Sequence, residues 1–189
     1  MTGAGYILDL RRFLRGFSDD RGGVSAVEFA IILPFMLTLY LGGAEVGDGL
    51  AIQFKATLAA RTVADLASQY QSIDGPTMTQ ILGAAATVVT PYSAGNMTVT
   101  VSELQITKGN SSASVQWSCS LNGTPRSTGS SFPLPLALQS LPSGYVILGE
   151  VNYPYTPSMG YVITGTINMY EDTIFFPRMS NSVTDNNAC

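Results

Sequence analysis

Two sets of side chains in this sequence have the chemistry to pair. The first is Glu28, the one charged residue in the 21-residue run 24–44. A carboxylate among apolar neighbours costs about 2.5–3.5 kcal/mol at the centre of a bilayer and less near its edge. A positive partner offsets that cost, because each charge then replaces part of the other's lost hydration. The second set is Cys119 and Cys189, the two cysteines of the chain. An even count in an oxidising compartment points to one disulfide, the competing reading being two unrelated thiols.

Residues suited to turnover are scarce. The chain has no histidine, which excludes His-based triads and His-ligated metal sites. No nucleophile-elbow or phosphate-loop pattern occurs, and two thiols do not complete a zinc site. The adjacent acids Glu171 and Asp172 fall on opposite faces if they lie on a strand, and read as a solvated edge. Asp185-Asn186-Asn187 reads as a polar tail. The expectation is a protein that is not an enzyme, with no catalytic residues, no metal, no cofactor and no small-molecule substrate. Beyond residue 70 three basic residues stand against six acidic ones, a balance of −3, so nucleic acid is not an expected partner.

The elements that must position Glu28 and the cysteines follow from periodicity. A helix over 24–44 spans about 31 Å, enough to cross a bilayer core. Arg11, Arg12, Arg15 and Arg21 precede it, which predicts a cytoplasmic N-terminus and an outer C-terminal part. The expected division is a cytoplasmic leader over 1–23 and a transmembrane helix over 24–46. A helical extension with a short second helix follows over 47–91, and a sheet domain over 92–189. One long helix is expected from about Ser25 to Gln71. Pro34 should kink or locally melt it. Its second half reads as amphipathic, with Leu50, Phe54, Leu58, Val63, Leu66 and Tyr70 as the apolar side and Asp48, Gln53, Lys55, Arg61, Asp65 and Ser68 between them.

Asp74-Gly75-Pro76 ends that helix and starts another, running from Thr77 to Val89. Period-two alternation then predicts strands over 97–106 and 113–119, joined as a hairpin through Lys108-Gly109-Asn110. Further strands are expected over 144–153 and 163–176, with 121–143 as a long surface loop. Trp117, Tyr145, Tyr153, Tyr155, Tyr161 and Tyr170 read mainly as core and cross-strand residues. The fold class is α+β: a long N-terminal helix packed on a small antiparallel sheet.

The run Arg21-Gly22-Gly23-Val24-Ser25-Ala26-Val27-Glu28-Phe29, with Pro34 in the apolar stretch and Glu45-Val46-Gly47 after it, resembles the TadE/TadG-like minor pilins, or pseudopilins, of the tight-adherence (Tad/Flp, type IVb) pilus system. Glu150-Val-Asn-Tyr-Pro-Tyr-Thr-Pro157 and Pro177-Arg178 before a terminal Cys are similar too. The resemblance is sharpest over residues 21–47. It implies cleavage by a prepilin peptidase between Gly23 and Val24, with Glu28 as the fifth mature residue; Gly22 is the competing cut site. It also implies that Glu28 pairs with the freed α-amine of a neighbouring subunit and sets register in an assembly. The implied partners are the inner membrane, the prepilin peptidase, other pilin-like subunits and the Tad assembly machinery. The implied setting is a single-pass inner-membrane protein with a periplasmic domain, carried into a surface pilus. A secreted domain cut after Gly42-Gly43-Ala44, or an uncut signal-anchored domain with no filament role, is the alternative.

Overall fold

The computed structural model describes residues 21–157, 160 and 164–189. The expected leader, apart from its last three residues, and the expected strand start at Ile163 lie outside the described residues, as does Tyr161. Helix α1 runs over Arg21–Ser68, about 72 Å at 1.5 Å per residue. Strand β1 (Ser72–Asp74) and helix α2 (Gly75–Val89) follow. Then come β2 (Thr98–Ile106), β3 (Ser112–Leu121), β4 (Ser131–Pro133), the single turn α3 (Leu136–Gln139), β5 (Gly144–Tyr155), β6 (Ile167–Phe175) and β7 (Thr184–Asn186). The architecture is α+β.

The main sheet is antiparallel, in the order β4-β3-β2-β5-β6, and β1 pairs with β7 in a separate parallel ladder. Central strand β2 is buried on both faces, since α1 and α2 cover one and the 131–139 segment covers part of the other. A bulge in β3 divides this packing. Glu103 opposes Trp117 but Leu104 opposes Val115, so Gln116 is extra. One inserted residue flips the side-chain alternation. Trp117 and Cys119 therefore face the helices, while Ala113 and Val115 join Leu104, Ile106, Phe132, Leu134, Val146 and Leu148 on the outer side. The segment 121–143 is thus not all loop: β4 and α3 within it cap this outer apolar patch.

The long helix packs with a different face from the one expected. Ile52, Ala56, Ala59, Ala60, Val63, Ala64 and Ala67 are buried, whereas Leu50, Phe54 and Leu58 are 52%, 74% and 54% exposed. Of the expected apolar side, Val63 is buried, Leu66 half-buried and Tyr70 exposed. The reason is close approach. A Cβ placed on Gly149 of β5 would come within 2.5 Å of the Ala60 carbonyl oxygen. With glycine on the strand and alanine on the helix the two backbones meet directly, and larger side chains would hold them apart.

Helix α1 continues without a break through Pro34, where the Thr38 hydroxyl donates to the Pro34 carbonyl at 2.8 Å. Asp74 caps α2 by accepting from the Thr77 amide at 3.0 Å, and these hydrogen bonds hold its carboxyl below the ordinary value. Lys55 Nζ donates to the Val88 and Thr90 carbonyls at the other end of α2, a favourable place for a cation.

The C-terminal segment closes the structure. The Arg178 amide donates to the Ser68 carbonyl at 2.8 Å, and the Arg178 guanidinium pairs with Asp65. Val183 is held from both sides: its amide donates to Glu103 Oε1 at 2.6 Å and its carbonyl accepts from Trp117 Nε1 at 2.7 Å. Cys119 and Cys189 are bridged, with Cα atoms 5.4 Å apart, within the usual range.

Candidate functional site

From Gly23 to Tyr40 every residue of α1 is exposed, including Val24, Phe29, Phe35 and Leu39. An apolar face of this extent is not a surface a chain keeps in water. The helix over Gly23–Ser68 is long and apolar enough to cross a membrane, and none of its most apolar stretch is buried within the chain. Gly23, Val24 and Glu28 all lie within this exposed stretch. A Cβ on Gly23 would meet nothing within 4 Å. Glu28 is exposed and takes part in neither ion pair found among the described residues.

The apolar face does not stop where the sheet domain begins. At 100° per residue, Met36, Tyr40, Gly43, Gly47, Leu50, Phe54 and Leu58 fall on one side of α1. The alanine face that packs on the sheet lies opposite. The stripe therefore passes from the apolar first half of the helix onto the half that carries the sheet domain unbroken, and Arg61 ends it. A Cβ on Gly43 or Gly47 would also touch nothing. Glycine costs about 1 kcal/mol against alanine inside a helix, and here no contact among the described residues requires it. A Gly-x-x-x-Gly spacing in an apolar helix lets a second helix approach closely. That spacing is visible in the sequence and is a signal missed there. The outward turn of Leu50, Phe54 and Leu58 is not visible, because it depends on Gly149, which is about ninety residues away along the chain.

The head is fastened to the helix beside this stripe. Glu45 is buried, and its carbonyl accepts from the Tyr155 hydroxyl at 3.2 Å. Gln53 Nε2 donates to Glu171 Oε1 at 3.2 Å. The expected boundary between membrane helix and extension, at residue 46, therefore lies within one continuous helix already in contact with the sheet domain. The cysteine pair lies elsewhere, near α2 and β3, and serves the C-terminal segment.

The fold and the exposed helix define a protein with an α+β head and, among the described residues, one helix long and apolar enough to span a membrane. Comparison with family models places that helix more narrowly: the model described as TadE-like protein matches residues 23–65. Over this stretch, from the glycine before Val24 to the last turn of α1, the chain is TadE-like, the family its sequence resembles. The sheet domain lies outside the match. No curated protein and no solved structure matches the chain.

Proposed function

We propose that this protein is a minor pilin, or pseudopilin, that supports biogenesis of an adhesive Tad/Flp-type pilus. In this reading it is a structural subunit and not an enzyme. Its N-terminus is cytoplasmic and its sheet domain periplasmic. Prepilin peptidase cuts between Gly23 and Val24, and the freed amine of one subunit meets Glu28 of a neighbour. The observation that carries the reading is the uncovered face of α1. It coincides with the TadE-like match, bears Glu28 five residues after a glycine, and runs past the membrane half to Leu58. Such a face serves a helix stored in a bilayer and later packed among other helices. Its extension beyond the membrane offers the same neighbours a second grip.

The test is the mass of the mature protein isolated from its own host. The expected N-terminus is Val24, and Gly23→Leu is expected to leave the leader attached. A native chain that begins at Met1 removes the processed-subunit mechanism, and one that begins at Glu45 makes it a secreted domain.

A further inference from the structure

The outer face of the sheet is apolar at one end and polar at the other. Register places two polar rows side by side across β2, β5 and β6: Thr98, Asn152 and Tyr170 in one, Thr100, Glu150 and Asp172 in the next. The segment 131–139 covers the apolar end and leaves these rows open. Thr124 and Pro125 from the loop after β3 form a wall, making a cleft of about 330 Å³ with Arg126 and Tyr170 among its lining residues. That size is at the lower end for small-molecule sites.

The cleft is pre-set. Arg126 holds Glu150 by two parallel bonds, Nε to Oε2 at 2.7 Å and Nη2 to Oε1 at 2.5 Å. The Tyr170 hydroxyl donates to the same Oε1, which fixes the ring at the rim with half of the residue exposed. Thr100 and Ser120 are hydrogen-bonded to each other, and Thr98 donates to the Asn122 carbonyl. One group is left over. Asn152 Oδ1 is buried and has no hydrogen-bond partner among the described residues. A buried acceptor left unmade costs about 1–3 kcal/mol, so such a group calls for a donor.

These features specify an occupant. It must present a hydrogen-bond donor to Asn152 and further hydroxyl-type partners to the threonines. It must offer a flat C–H face to the Tyr170 ring. It must also lack negative charge, because Arg126 is already neutralised by Glu150 and Asp172 stands one strand away. We infer that this cleft binds a neutral saccharide unit, with Asn152 as the hydrogen-bonding anchor and Tyr170 as the stacking platform. A pyranose ring satisfies all four requirements, whereas an anion meets uncompensated carboxylate. The inference does not depend on the assembly reading, since the cleft is on the sheet face turned away from α1.

The test uses the full chain in lipid nanodiscs, because glycoside detergents would compete. Saturation-transfer NMR with glucose, galactose and N-acetylglucosamine is expected to show transfer to at least one of them. N-acetylneuraminic acid and inorganic phosphate are expected to show none. Asn152→Leu and Tyr170→Ala should each weaken the responding sugar at least tenfold, with the far-UV circular dichroism of the folded protein unchanged. Tyr170→Phe, which keeps the ring, should lose less. No transfer to any neutral sugar overturns the inference, as does preferred binding of the anions or equal binding by the folded variants. If both strong variants unfold, chemical-shift perturbation of the wild-type Tyr170 and Asn152 side chains by the responding sugar decides: shifts there support the site, and shifts elsewhere overturn it.

Discussion

Two carboxylates show how differently the same group behaves in and out of the fold. Glu28 is exposed on the uncovered stretch of the long helix, so the role proposed for it is one between molecules. Glu28→Ala removes a charge from the proposed membrane segment and is expected to leave insertion intact, while pilus assembly falls sharply. Counting surface pili beside membrane-fraction levels of the variant checks this, and normal piliation would remove the carboxylate from the mechanism. Glu103 is buried and faces the Val183 amide. Burial raises its carboxyl above the ordinary value, with the Val183 and Trp117 hydrogen bonds pulling the other way. The folded state therefore binds this proton more tightly than the unfolded chain. The stabilisation is full below the ordinary glutamate range and is lost as pH rises through the raised value. Glu103→Gln keeps an acceptor without the charge. It should flatten that part of the melting-temperature profile and melt at or above wild type at pH 7. Glu103→Leu leaves the Val183 amide unpaired, at a cost of about 1–3 kcal/mol in denaturant unfolding.

At the scale of elements, the contact between α1 and β5 carries the most specific expectation. Gly149→Val puts a side chain where the Ala60 carbonyl and Ala64 Cβ already stand. It should cost about 1–3 kcal/mol or more by overpacking. Phe54→Ser and Leu58→Ser lie on the opposite, uncovered face, so they should change stability by no more than about 0.5 kcal/mol and lower recovery of pili or of cross-linked subunits. Equal destabilisation by both sets in urea would mean that the helix packs the other way round. This contact also marks how far the sequence could be read. The long helix, the break at Asp74, the α2 span and the β2–β3 hairpin follow from period and turn chemistry, which are local. The choice of helix face was misjudged because large apolar residues were given priority over small ones. Local periodicity fits either face, and only a glycine on a distant strand decides between them. Strand β4 and helix α3 read as loop because three or four residues carry no period. The bulge at Gln116, and with it the outer apolar patch, has no local signature. The Arg126, Glu150 and Tyr170 cluster is equally hidden, since strand pairing and the loop after β3 unite residues up to 44 positions apart. The segment at Gly23 and Glu28 was legible for the opposite reason: its spacing along one helix is its geometry.

For the whole molecule, the bridge between Cys119 and Cys189 joins the end of the chain to the core across 70 positions. In the chain-entropy account a loop of that length is worth up to about 4 kcal/mol. Cys119→Ser is expected to lower the denaturation midpoint by an amount of that order. It should also raise hydrogen exchange first in β7 and its partner β1, since their short ladder then hangs on Val183 and the Arg178 contacts. Equal exchange in oxidised and reduced protein would show that the hydrogen bonds suffice without the bridge.

Because α1 passes from Phe29 to Ser68 with no hinge, and the head grips it from Glu45 onward, the two halves share a single azimuth. Rolling the spanning portion by one residue, about 100°, swings the far side of the sheet through the same arc. In the proposed assembly, whichever neighbour fixes the roll of the apolar rod would thereby choose the compass bearing of everything the sheet domain displays. A one-residue insertion before residue 45 would turn that display without altering a single contact within it.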